Sequence, residues 1–117
     1  MADYGIFYGW NRPVPGREGH AAELFTEVIG YWTKQVEQGN VESFEPVFLN
    51  RHGGDLNGFL LVRGMREKIL PLTETDEYED MMTRSDHFLL GFGNIPCYVG
   101  DSVESGMARW VKHIPRP

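Results

Sequence analysis

The four histidines are the side chains of this sequence best suited to proton transfer near neutral pH. His52 follows an extended segment and precedes a glycine-rich loop, where a rigid scaffold often presents functional groups, although hairpin loops also carry solvated histidines. No two of the four histidines share the local spacing of a metal site, and the single cysteine, Cys97, does not join them. We therefore predict no metal site and take His52 as a candidate general base.

Arg63 is the only charged residue in the apolar run from residue 59 to 65. A buried guanidinium needs a partner, which is either a carboxylate or an anionic ligand. Glu45 on the preceding predicted strand is the favoured partner, and a ligand is the alternative. Arg63 is therefore a candidate ligand-binding residue as well as a structural one.

Several aromatic residues are spaced so that they could line one apolar pocket for a planar ligand. Tyr8 and Trp10 lie two residues apart in the first predicted strand, and Trp32 lies on the apolar side of the first predicted helix. Aromatic residues at strand and helix periods usually belong to the core, which is the alternative position for each of them. We take Tyr8, Trp10 and Trp32 as candidate ligand-binding residues. Cys97 has no adjacent base or cation in the sequence that would make it a nucleophile.

The composition limits the remaining classes of function. The chain has 117 residues and 41% hydrophobic content, which suits a single domain spanning residues 1–117. The formal net charge of -6 would repel a polyphosphate, so we do not expect a nucleic acid as partner. No apolar run approaches the roughly 20 residues of a membrane span. One cysteine allows no internal disulfide, so we expect a cytoplasmic protein without a membrane partner.

The first third of the chain carries two strong patterns. Residues 4–10 are rich in aromatic and β-branched types and predict a strand, with Tyr8 and Trp10 on one face. The glycines of the other face would let a helix or a ligand approach closely. Residues 12–16 contain two prolines and predict a turn, and apolar spacings of three and four predict a helix over residues 17–38.

A hairpin is predicted after this helix. Residues 41–51 predict a strand that Pro46 places at a sheet edge or at a bulge. Residues 53–58 are rich in glycine and predict the hairpin loop. Residues 59–65 are almost continuously apolar and predict a central strand covered on both faces.

The second half of the chain predicts two further helices. Residues 66–70 predict a short helical turn ended by Pro71, after which Thr73 or Thr75 caps a second main helix. Apolar residues at helical spacing continue this helix from residue 78 to residue 89.

The end of the chain carries weaker signals. Residues 95–99 are compatible with a short fourth strand despite Pro96, and the sequence does not decide whether this strand forms. Residues 103–114 fit a final helix that begins at Asp101 and Ser102.

The order of strand, long helix, two-stranded hairpin and helix is that of the split β-α-β unit. With residues 14–19 (VPGREG) before the first helix and residues 75–78 (TDEY) before the second, residues 4–92 resemble the dimeric α/β-barrel superfamily. This superfamily includes antibiotic-biosynthesis-type monooxygenases, haem-degrading monooxygenases, muconolactone isomerases and stress-responsive proteins. The resemblance implies an α+β, ferredoxin-like fold with an antiparallel sheet, helices on one face and an added C-terminal helix. It also implies a homodimer through the sheet face and a pocket between the sheet and the helices.

The haem-degrading members have an asparagine near the first strand and a histidine on the second helix, and Asn11 and His87 occupy roughly those places. The tryptophan that assists them has no counterpart, because the third strand carries Arg63 and no tryptophan. We therefore expect no haem and no other cofactor. Asn11 is equally suited to a turn, and His87 beside Asp86 is equally suited to an exposed helix position.

The residues leave two functions open. One is a cofactor-independent monooxygenase or isomerase acting on a small planar apolar molecule, with His87 or His52 as base and with Asn11 and Arg63 orienting a polar group. The other is a non-catalytic homodimer, related to stress-responsive proteins, that binds a small ligand. A haem-binding or electron-transfer domain is a weaker third possibility. A poised titratable group inside the pocket favours the first function, and an apolar pocket without one favours the second.

Overall fold

The computed structural model describes residues 2–117, which form an α+β protein. Six strands and four helices follow one another along these residues. They are β1 (Tyr4–Trp10), β2 (Arg12–Pro13), α1 (Glu18–Glu37), β3 (Ser43–Phe48), β4 (Gly58–Gly64), α2 (Arg66–Leu72), α3 (Asp76–Phe88), β5 (Leu89–Leu90), β6 (Gly93–Tyr98) and α4 (Asp101–Lys112).

Four of the strands form one antiparallel sheet in the order β3-β4-β1-β6. The two central strands are aligned with Tyr8 opposite Leu60 and Ile6 opposite Val62. Successive side chains of a strand point to opposite faces, so these four residues share one face. The helices α1 and α3 cover this face, which we call the helix face. This is the arrangement that the sequence predicted for a split β-α-β unit.

The main core lies between the helix face and the helices. It combines side chains from both central strands with side chains from α1, α2 and α3. The largest fully buried side chains are those of Trp32, Tyr78, Ile69, Met81 and Val62. A core of this kind fixes α1 and α3 against the sheet, because each buried side chain is in contact with several others.

The other side of the sheet, which we call the open face, has no helix on it. Phe7, Phe59, Leu61 and Arg63 lie there half-buried, and Ile95 is 53% exposed. The prediction that residues 59–65 are covered on both faces is therefore wrong within this protomer, although β4 is a central strand. The predicted close approach of a helix to the glycines of the first strand is also wrong, because Gly5 and Gly9 lie on the open face, and the approach of a ligand to them stays a prediction.

The structure differs from the sequence prediction at two proline-containing segments. Residues 12–13 form a short ladder with Leu89–Leu90, where we predicted only a turn. The prolines do not prevent this pairing because the donors come from their neighbours: Asn11 N donates to Leu90 O at 2.9 Å and Val14 N donates to Phe88 O at 2.8 Å. Pro71 lies inside α2 and does not end it; the helix closes just afterwards through bonds such as Thr73 N to Leu70 O, 3.1 Å.

Other predictions are confirmed with small changes of length. The first strand and the long helix are confirmed, and Pro46 lies in the edge strand β3, which is shorter than predicted. Thr75 caps α3 by accepting a hydrogen bond from Tyr78 N at 3.2 Å. The strand left open at residues 95–99 exists as β6, and the final helix exists as α4. No helix of residues 2–117 is long and apolar enough to cross a membrane.

Candidate functional site

A cavity of about 510 Å³ lies between the helix face of the sheet, α1, α3 and the segment after α3. Its wall is mostly apolar, and six aromatic side chains contribute to it. They are Tyr8, Trp10, Phe25, Trp32, Phe48 and Phe92. The cavity therefore has the size and composition of a site for a small organic molecule.

Strand and helix periods bring these side chains together. Tyr8 and Trp10 share the helix face of β1, and Phe25 and Trp32 lie seven residues apart on one side of α1. Trp10 meets Phe25 and Phe48 edge to face, with ring centroids 6.3 Å apart in each pair. Edge-to-face packing of this kind stabilises the wall.

The Trp10 indole lies close to the backbone of β4, and a glycine makes this possible. Gly58 is opposite Trp10 in the sheet. A Cβ atom at Gly58 would lie 2.6 Å from Trp10 Cζ2, so a side chain there would displace the indole from the wall.

Trp32 combines complete burial with an unsatisfied polar group. Its side chain is 0% exposed, and its Nε1 has no hydrogen-bond partner among residues 2–117. The ring of Tyr31 lies perpendicular to the indole with centroids 4.9 Å apart, which offers at most a weak contact with an aromatic face. A buried donor without an acceptor is uncommon in native proteins and calls for a physical explanation.

Beside the cavity, hydrogen bonds join the side chains of Tyr8, Tyr78 and Asn94 in a row, which we call the polar chain. The hydroxyls of Tyr8 and Tyr78 are 2.6 Å apart, and Asn94 Nδ2 donates to Tyr78 Oη at 3.0 Å. Burial raises the pKa of Tyr8 well above its usual value, and the nearby Tyr78 raises it further. Burial also raises the pKa of Tyr78. Both phenols therefore stay protonated at neutral pH and can donate hydrogen bonds but cannot act as bases.

Few other polar groups reach the wall. Glu18, at the start of α1, contributes an exposed carboxylate, and Ser85 Oγ donates to Met81 O at 2.8 Å. No group of three or more His, Cys, Asp or Glu side chains within residues 2–117 could hold a metal ion.

The structure brings three of the seven predicted site residues to the cavity: Tyr8, Trp10 and Trp32. It places His87 on the exposed surface of α3, where its carbonyl accepts a hydrogen bond from Arg17 Nη1 at 2.7 Å. The His87 side chain is not part of the wall.

His52 and Asn11 hold loops together outside the cavity. His52 Nδ1 accepts from Gly54 N at 3.1 Å, which leaves Nε2 as the protonated nitrogen that donates to Leu56 O at 2.8 Å. Asn11 Oδ1 accepts from Asn57 Nδ2 at 2.7 Å. Their proposed catalytic roles remain predictions, and both side chains already have structural partners.

Arg63 lies on the open face and not at the cavity. It makes no ion pair with Glu45, because the single ion pair within residues 2–117 joins Arg84 to Glu27. Arg63 in β4, Gly5 in β1 and Cys97 in β6 are aligned across three neighbouring strands, so Gly5 lies between the other two residues. Burial raises the pKa of the Cys97 thiol, and the charge of Arg63 offsets part of this effect.

Comparison with solved structures finds chains of similar fold. A protein from Bacteroides fragilis NCTC 9343, described as a dimeric protein of unknown function with a ferredoxin-like fold, superposes with a TM-score of 0.59. The match covers 83% of this chain and 96% of that chain at 11% sequence identity. This chain has the ferredoxin-like fold. At such low identity the likeness shows the fold alone.

The sequence comparisons add no function. No protein-family model matches this chain, and no curated protein matches it either.

Sequence reasoning missed part of the wall and most of the polar chain. Phe25 and Phe92 line the cavity beside the predicted tryptophans. The helical spacing already placed Phe25 on the apolar side of α1, three residues before Val28, which also lines the wall. Phe92 and Asn94 follow a helix-ending glycine, and no local pattern indicated that they return to the helix face.

We predict that the protein loses stability as the pH rises above about 10, the usual ionisation range of tyrosine. Burial, and secondarily the charge of Glu77, raises the pKa of Tyr31 to about 12. Between these two pH values the folded chain binds more protons than the unfolded chain, so the free energy of unfolding falls with pH and is largest below pH 10. Urea unfolding at a series of pH values measures this slope.

Tyr31→Phe should make the slope between pH 10 and 12 shallower, and Tyr98→Phe, which changes a well-exposed ring, should not. An equal slope in Tyr31→Phe and in the unchanged protein would contradict the assignment.

Proposed function

We propose that this protein binds a small, planar, mostly apolar molecule that carries a hydrogen-bond acceptor. The binding site is the aromatic cavity between the helix face and α1. The observation that carries this proposal is the buried indole Nε1 of Trp32, which belongs to a wall residue and has no acceptor among residues 2–117.

The energetics support an acceptor on the ligand. Leaving a buried donor unsatisfied costs about 1–3 kcal/mol. The Trp32 side chain is fully buried in this structure, so a ligand carbonyl recovers that cost if neighbouring wall side chains move and let it reach Nε1. The cavity of about 510 Å³ lies within the usual range for small-molecule sites. Its aromatic rings offer flat apolar surfaces, which favour a planar ligand.

A non-catalytic role is favoured over a monooxygenase or an isomerase. Catalysis of either kind needs a group in the site that can accept a proton. Neither His52 nor His87 contributes to the wall, and the phenol of Tyr8 stays protonated. Glu18 is the one carboxylate at the wall and would be the base of a catalytic alternative.

We also propose that the functional form is a homodimer formed through the open face. The structural neighbour from Bacteroides fragilis is dimeric. The open face presents stacked rings of Phe7 and Phe59, 5.2 Å apart, beside Leu61, and these need cover from water. Arg63 has no ion-pair partner among residues 2–117. In a two-fold dimer it can meet Glu45 of the partner subunit, since both side chains lie on this face.

Prodan, a planar naphthalene with one ketone acceptor and polarity-dependent fluorescence, tests the cavity. We predict saturable binding with a blue-shifted emission, and Ala22→Phe should weaken it at least tenfold because Ala22 lines the cavity. The matched control is Thr33→Phe, which adds the same ring to an exposed position of α1 outside the wall. Equal binding by both variants would contradict the proposed site.

The Trp32 hydrogen bond is tested by comparing two probes on Trp32→Phe. Loss of the bond should weaken prodan binding by about threefold to tenfold, the effect of roughly 1 kcal/mol. Binding of 2-dimethylaminonaphthalene, which lacks the ketone, should change less, and this comparison removes the effect of altered packing. The same loss for both probes would show that the indole N–H makes no bond to the ligand.

The homodimer is tested by sedimentation equilibrium. We predict a dimer for the unchanged chain and a monomer for Leu61→Glu, because a carboxylate in the centre of the open face would be buried without a partner. Thr33→Glu adds the same charge to α1 and should remain a dimer. A monomeric unchanged chain would contradict the proposed assembly while leaving the ligand proposal standing.

A further inference from the structure

We infer that α4 is an arm whose apolar side packs against a second copy of this chain and extends the interface made by the open face. This inference rests on the homodimer proposed above. It assigns a role to the one helix that contributes nothing to the core or to the cavity.

The apolar side of α4 continues to the first residues after the helix. Val103, Met107, Trp110 and Ile114 recur at intervals of four, three and four residues and therefore form one stripe, which we call the α4 stripe. Each of these side chains is between 50% and 67% exposed, and no residue of α4 is buried. This spacing is that of a helix that packs along a seam against a partner.

The direction of α4 is set by the fold. Gly100 precedes the helix with φ of 59°, and a Cβ atom at this position would collide with the carbonyl oxygen of Ala2. Ser102 Oγ accepts from Val99 N at 3.0 Å and lies 2.6 Å from Asp3 O. Beyond this first turn, the hydrogen bonds of α4 are internal or close its C-terminal end, and none joins it to residues 2–98. The arm is therefore anchored at one end and projects as a unit.

The chain exposes more surface than a compact chain of its mass. A compact chain of 13.4 kDa exposes about 6,500 Å², and this one exposes 7932 Å². Its radius of gyration is 16.2 Å, against about 13 Å for a compact domain of this length. The excess of about 1,400 Å² is larger than the roughly 800 Å² that each partner buries in a standard interface. The exposed side chains of the α4 stripe contribute to this excess.

A second copy fits the stripe better than a membrane surface does. Helices that lie on membranes carry an excess of basic residues on the polar side. In α4 the acidic residues Asp101 and Glu104 balance Arg109 and Lys112, and the whole chain carries a net charge of -6. The stripe also begins only a few residues after β6, whose Ile95 belongs to the open face. A partner on the open face is therefore within reach of the arm.

Dimer dissociation constants of stripe variants test the inference. We expect Met107→Glu and Trp110→Glu to raise the constant at least tenfold in sedimentation equilibrium, with unchanged circular dichroism. Ser105→Glu, which adds the same charge to another side of α4, should stay within twofold of the unchanged chain. Unchanged dissociation constants for both stripe variants would overturn the arm while leaving the dimer intact, whereas a monomeric unchanged chain would overturn both.

Trp110 fluorescence provides a second measurement, which needs no charged variant. The emission difference between the unchanged chain and Trp110→Phe reports the surroundings of Trp110. We expect this difference spectrum to shift to longer wavelength when the dimer is diluted into monomers, because Trp110 becomes exposed to water. A difference spectrum that stays the same on dilution would overturn the packing of α4 against a second copy, even if the charged variants fail to fold.

Discussion

A four-stranded sheet has two faces, and this chain supplies helices for only one of them. The central strands carry large apolar side chains on both faces: Tyr8 and Val62 point toward the helices, and Phe7 and Leu61 point away from them. Burial of apolar surface is the main favourable contribution to folding, so a face of this composition favours association. The cavity on the covered face and the assembly proposed for the open face both follow from this division.

The covered face carries a cavity whose wall is rich in aromatic rings. Trp10 meets Phe25 edge to face, Phe25 is tilted against Phe48, and Gly58 keeps the Trp10 indole close to the sheet. The hydroxyls of Tyr8 and Tyr78 satisfy each other, whereas the indole N–H of Trp32 has no such partner. A polar group at an apolar wall gives orientation to a ligand, and Glu18 is the one carboxylate among the wall residues.

The periodic elements could be predicted from the sequence because their signals are local. The strand at Tyr4–Trp10 and the helix at Glu18–Glu37 follow directly from spacings of two and of three or four residues. The ladder between Arg12–Pro13 and Leu89–Leu90 could not, since its donors are the neighbours Asn11 and Val14 and its partner strand is far along the chain. Local pattern contains no information about such a distant partner.

The candidate site was predictable only in part, for the same reason. Alternation placed Tyr8 and Trp10 on one face, but Phe92 reaches the cavity through the return of the chain after α3. His52 resembled a functional loop residue, yet its two ring nitrogens are held by Gly54 N and Leu56 O within its own turn. For α4, the periodicity predicted the apolar stripe but did not identify the surface that packs against it.

The central claim is that this chain leaves one apolar face to a second copy and keeps a ligand cavity on the other. Native mass spectrometry of the full chain, purified without added ligand and sprayed from a non-denaturing buffer, tests it most directly. The account predicts a species with the mass of two chains, together with adducts of a small molecule that disappear on denaturation. A species with the mass of one chain at every concentration, free of any adduct, would contradict it.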